Sequence, residues 1–129
     1  MLDPRVTRLA ELLCSHSCRL NSSDSLLIHA FDMPEEVVAD VVRVAQGTGA
    51  KVAVRTESNL VRRQLLMGMT EENARTIAAI EKYEMEQMTA YISLRGANNT
   101  SETADVPSAN MQIWQREYSV PVVFGVRIP

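Results

Sequence analysis

The chain has 129 residues, 46% of them hydrophobic and 22% charged, with a net charge of −3. That size and composition fit one globular domain, able to bury roughly two-thirds of its unfolded surface, and they argue against disorder. The slight acidity and the scattered Lys and Arg, densest at Arg62 and Arg63, speak against a nucleic-acid binder, which would carry a basic patch. No apolar run approaches the roughly 18 residues of a membrane span. The opening MLDPR lacks the charged-then-apolar layout of a signal peptide, so a cytoplasmic protein with reduced thiols is expected.

Asp3 and Pro4 signal a helix start, with Asp as hydrogen-bond acceptor for the first turn and Pro at its first position. Val6, Leu9, Ala10, Leu13, Ser17 and Leu20 then recur at helical spacing and predict a helix through CSHSC, residues 14–18. At about 100° per residue, Cys14 and Cys18 share neighbouring ridges while His16 points away from both. One metal ion cannot take all three from a regular helix, and a closed site wants about four ligands. A disulfide there would need strained helical geometry. Cys14 is therefore expected as a small apolar residue at the edge of the buried stripe, and Cys18 as partly exposed.

After a polar turn at 21–24, SLLIHAF over 25–31 has the length of a strand and no alternation, as a strand covered on both faces should. His29 inside it is expected as a satisfied core or sheet-end histidine. Asp32, Met33 and Pro34 open a second helix with Val37, Val38, Val41, Val42 and Ala45 as its buried stripe. GTGA at 47–50 follows this helix and precedes a strand, the reverse of a phosphate-cradling loop, and is read as a C-cap. KVAVR at 51–55 is the second strand. Thr56 is expected to cap a third helix containing Leu60, Val61, Gln64, Leu65 and Leu66 and ending at Gly68.

Thr70 followed by Glu71 and Glu72 starts a fourth helix, with acids at its positive end. Ala74, Ile77, Ala78, Ile80, Met85 and Met88 are its expected buried positions. Glu81, Glu84 and Glu86, with Lys82 beside them, read as a solvated face rather than as metal or proton-transfer groups. AYISLR at 90–95 is the third strand, followed by a polar loop at 96–105. Pro107 opens a fifth helix with Met111, Trp114 and Tyr118. VPVVFGVRI at 120–128 is rich in strand formers, yet Pro121 and Gly125 weaken it, so it is expected as extended chain.

Strands alternating with helices predict an α/β fold: three layers, a mostly parallel sheet with helices on both faces, Rossmann-like without a nucleotide loop, over a single domain spanning 1–129. Ligands of such sheets bind beyond the carboxyl ends of the strands. The segments falling there are 29–32, 55–57 and 95–99. The last holds Arg95, which can fork onto a carboxylate, Gly96, which permits close backbone approach, and the amides of Asn98 and Asn99.

DPRVTRLAELL, LLIHAF with its Pro-led helix, GTGAKVAVR and above all EKYEMEQMTAYISLRGANN, taken in order, resemble the thermophilic leucyl aminopeptidase family over residues 2 to about 118. The resemblance implies an N-terminal α/β domain of a two-domain exopeptidase. Its two divalent metal ions (zinc, cobalt or similar) polarise the scissile carbonyl and activate a water from the C-terminal domain. His16, His29, Glu81 and Glu84 inherit no metal role from it, so no catalytic residue and no metal site is expected in this chain. Arg95, Gly96, Asn98 and Asn99 match a family motif and are the expected substrate-cleft residues. The expected function is to shape the substrate channel of an aminopeptidase, reaching peptide substrates through a C-terminal catalytic domain and inactive alone. The alternatives are a small-molecule-binding module using the strand-end crevice and an assembly domain docking a partner or forming a homo-oligomer. The apolar run at 120–128 would suit a segment cut from its neighbours.

Overall fold

The computed structural model describes residues 4–14, 19–96 and 106–117. They form α1 (Pro4–Leu12), β1 (Ser25–Phe31), α2 (Glu35–Gln46), β2 (Lys51–Glu57), α3 (Asn59–Met67), α4 (Glu71–Glu86), β3 (Ala90–Arg95) and α5 (Ser108–Trp114). The chain divides into two compact units, one holding α1, α2 and the three strands, the other holding α3, α4 and α5.

In the first unit the strands pair in parallel in the order β2-β1-β3. This is the α/β class with a parallel sheet that the alternation of elements predicts. β1 is central, and its apolar run is buried from Leu26 to Phe31. Leu26 and Ile28 turn to one face, where they meet Ala90 and Ile92 of β3, Val41 and Ala45 of α2, and Ala10 and Cys14 from the first helical segment. Each fully buried Leu or Ile of this kind contributes about 1.5–3 kcal/mol. Leu27, His29 and Phe31 turn to the opposite face and are buried as well. A strand covered on both faces needs no polar alternation, which is why SLLIHAF shows none.

Backbone links close the sheet at both ends. At the start, Thr89 donates its N–H to the Ser25 carbonyl (2.8 Å) and its hydroxyl to Asp24 Oδ1 (2.8 Å). At the finish, Asp32 donates to the Glu57 carbonyl (3.0 Å) and Gly96 to the Phe31 carbonyl (2.8 Å).

The first helix departs from expectation. Its α-helical part stops at Leu12, Arg19 is left-handed (φ 51°), and Leu20 donates to the Cys14 carbonyl (2.9 Å). Cys14 is fully buried, as expected of a small apolar residue, whereas Leu9 is exposed rather than on the buried stripe. The Val6 side chain and residues 15–18, with His16, Ser17 and Cys18, lie outside the described residues. α2 ends at Gly47, which keeps a right-handed backbone; Gly49 takes the left-handed one (φ 88°) that a side chain would strain.

Asp40 is a buried acid on α2. It accepts from Thr7 Oγ1 of α1 (2.7 Å) and from Arg43 Nη2 (2.7 Å). The Thr7 hydroxyl, with Arg43 second, holds the Asp40 carboxyl below its ordinary value. A depressed folded value stabilises the fold above the unfolded carboxyl value of about 3.9, and that stabilisation is lost as pH falls through the folded value. Thr7→Val is therefore expected to lower Tm near neutrality. The gap from wild type should narrow below about pH 4 as Asp40 protonates in both chains. Melting curves across pH test this; a gap constant down to the acid limit would rule it out.

β2 runs two residues further than KVAVR. Thr56 lies in the strand, paired with Ala30, and does not cap the next helix. Ser58 does, accepting from the Val61 N–H (3.3 Å). The third strand of the sheet has the expected bounds.

In the second unit, Thr70 caps α4 by accepting from the Asn73 N–H (3.1 Å). The stripe of α4 is Ala74, Ala78, Glu81 and Met85. Glu81 is thus buried, not solvated, and Ile80 is exposed, not buried. Steps of four, three and four place 81 on the stripe whatever its chemistry. Asn110 of α5 donates to the last carbonyls of α3, Leu66 (2.9 Å) and Met67 (3.0 Å), and Arg62 lies over the Trp114 ring at 4.8 Å. Arg75 and Arg116 flank Glu117, and the hydrogen bond from Arg75 is the main cause holding its carboxyl below the ordinary value. Among the described residues no helix is long and apolar enough to cross a membrane. Tyr118 and the tail at 120–128 lie outside the described residues.

Candidate functional site at the strand ends

The strand order makes the carboxyl ends of β1 and β3 the point where the chain's progress across the sheet reverses. Sheets of this type bind ligands outside such a point. The register Glu57↔Phe31↔Arg95 sets the last residue of each strand in one row. The row below is Arg55↔His29↔Ser93, and the next is Ala53↔Leu27↔Tyr91. Because strand side chains alternate, all nine face the same side.

His29 is the hub of this face. Its Nδ1 meets the Tyr91 hydroxyl at 2.9 Å, and its Nε2 meets Glu57 Oε2. With Glu57 ionised, a neutral ring fits only with hydrogen on Nε2: that N–H donates to Glu57, and Nδ1 accepts the Tyr91 O–H. The His29 side chain is 8% exposed and that of Glu57 19%. This is the satisfied sheet histidine expected from the sequence. Both ring nitrogens are engaged, so His29 offers no open position to a ligand or metal.

Phe31 meets two partners. The His29 ring lies 4.3 Å from it, centroid to centroid and tilted by 38°, and the Arg95 guanidinium lies over it at 4.5 Å. Gly96 brings the β3 backbone against Asp32, whose φ of 52° is left-handed. A Cβ at Gly96 would stand 2.3 Å from the Asp32 carbonyl oxygen, so the close approach at this glycine is to its own chain.

The structure thus joins three segments the sequence placed at the strand ends: 29–32, 55–57 and 95–96. Asn98 and Asn99 lie outside the described residues. Glu81 and Glu84 belong to the other unit. Phe31 and Glu57 fall within the expected segments without having been singled out, and Tyr91 lies outside them. The signal for them is strand parity combined with register, which requires the pairing to be known. Among the described residues no three His, Cys, Asp or Glu side chains converge where a metal ion could be held.

The fold and this strand-end cluster define an α/β parallel-sheet domain with an aromatic-seated arginine at its switch point. The model of the thermophilic metalloprotease (M29) family matches residues 2–121, and the chain belongs to that family. Among solved structures it is similar to wild-type AmpT from Thermus thermophilus, with a TM-score of 0.69 at 15% identity. The match covers 90% of this chain and 30% of the AmpT chain. No curated protein sequence matches the chain significantly.

Proposed function

We propose that this chain is the N-terminal domain of a metal-dependent aminopeptidase, residues 1–129 forming one α/β domain that shapes the substrate channel without carrying the catalysis. The family match over 2–121, set against the 30% share of the AmpT chain, supports this reading most strongly. The two divalent ions of such an enzyme, zinc, cobalt or similar, belong in this reading to a C-terminal domain, and no chemical step is routed through the present residues. Arg95, Gly96, Asn98 and Asn99 contribute to the wall of the channel that admits peptide N-termini.

The reading frame beyond the Pro129 codon is the direct test. Roughly 250–300 further codons with clustered Glu, His and Asp are expected, the scale of another domain or two. An immediate stop codon overturns the reading. The 129-residue chain is expected to release no nitroaniline above blank from leucyl-nitroanilide with cobalt or zinc added. Sustained turnover would place catalysis in the wrong domain.

A further inference from the structure

We propose that Arg95 is a carboxylate receptor, and that the group it takes is the C-terminal carboxylate of a short peptide. A guanidinium seated over an aromatic ring engages it without using the N–H donors along its edge, and the Arg95 guanidinium carbon lies 4.5 Å from the Phe31 ring centroid. That edge matches the two oxygens of a carboxylate as parallel hydrogen bonds. Phe31 ends the central strand, is 7% exposed, and also meets the His29 ring, tilted against it at 4.3 Å between centroids.

The Arg95 guanidinium lies over the Phe31 ring. Among the described residues it makes no ion pair. The acid in its own row is Glu57, two strand spacings away or about 9.6 Å, with Phe31 between them. Glu57 is turned to His29 Nε2, and the Tyr91 hydroxyl holds the ring from its other nitrogen. The hydrogen-bonded array therefore acts as a positioning device: it engages the acid of Arg95's own row and holds the His29 ring against the phenyl over which Arg95 lies. Arg95 stands where the strand order reverses, the place such sheets present to ligands.

The carboxylate chemistry stands on this geometry, whereas the assignment to a peptide C-terminus rests on the aminopeptidase reading. An exopeptidase that pulls peptides in by their N-termini meets a C-terminal carboxylate at a short, fixed distance only in short peptides. Such a receptor would favour them.

The test is titration of the 129-residue chain with leucylglycine, leucylglycinamide and the α-amide of N-acetylaspartic acid, whose one carboxylate is on the side chain, read by NMR at the Arg95 Nε–H and Gly96 amide signals. Saturable shifts with leucylglycine in the millimolar range are expected, with at least a tenfold weaker response to leucylglycinamide. Arg95→Met, an exposed position that should melt as wild type, is expected to lose about tenfold or more in affinity. Arg95→Lys, which keeps the charge but not the fork, should fall between. Equal response to acid and amide, or unchanged binding by Arg95→Met, overturns the proposal. A tighter response to the N-acetylaspartic acid α-amide overturns the C-terminal assignment. Binding is read without peptidase activity, so its failure is separate from failure of the reading-frame test.

Discussion

His29→Ala is expected to destabilise the first unit by about 3 kcal/mol, at the low end for removing one partner of a buried polar pair. The imidazole is the shared partner of Glu57 and Tyr91 and the ring against Phe31. Alanine takes away all three contacts and leaves a carboxylate in a site where it is 19% exposed. The residual exposure keeps the loss below that of a fully sealed pair, since water can reach part of the carboxylate. Tyr91→Phe should cost only about 1 kcal/mol, the typical net worth of one hydrogen bond. His29→Gln should recover part of the loss, because an amide can donate at one end and accept at the other. Urea unfolding of the single variants and of His29→Ala with Glu57→Ala measures the coupling. A coupling of about 1 kcal/mol or more is expected from two groups in direct hydrogen bond. Strict additivity would mean that the array contributes nothing beyond packing.

Much of the first unit was legible because its signals are local. SLLIHAF and AYISLR have the expected limits since their neighbours, a polar turn, an aspartate-led break and a glycine, end pairing at those residues. Thr56 was misread because threonine suits both a cap and a strand. The register decides: Ala30 and Phe31 need partners, and extending β2 through Thr56 and Glu57 supplies them. Glu81 was misread because its charge outweighed its spacing, although 74, 78, 81 and 85 mark one face of α4. The sequence placed His29 as a satisfied sheet histidine, and 55–57 near it, but not its partners. They lie 28 and 62 positions away, and only the order β2-β1-β3 in parallel register brings Glu57, His29 and Tyr91 onto one face. The same limit holds for Arg95: the sequence places an arginine at a strand end, but not the phenylalanine beneath it.

Gly96→Ala is expected to cost about 2–4 kcal/mol, the upper range for overpacking a site that cannot yield. The added methyl would stand 2.3 Å from the Asp32 carbonyl oxygen and 3.2 Å from that of Phe31. Both obstacles are backbone, so no rotamer change relieves them. Nor is Asp32 free to retreat: its N–H is bonded to the Glu57 carbonyl, and its backbone is already left-handed. The end of β3 must therefore swing away, breaking the Gly96 to Phe31 hydrogen bond. The damage should stay local. Amide exchange is expected to quicken at Asp32 and Gly96 while Ile28 and Ile92 stay protected, because Thr89 and Asp24 hold the other end of the strands. Gly68→Ala is the control, since a Cβ there meets nothing within 4 Å; it should be near neutral. A Gly96→Ala chain as stable as wild type would show that the β1–β3 end is pliable. The Arg95 seat, one residue before this glycine, would then not be held rigid by the sheet.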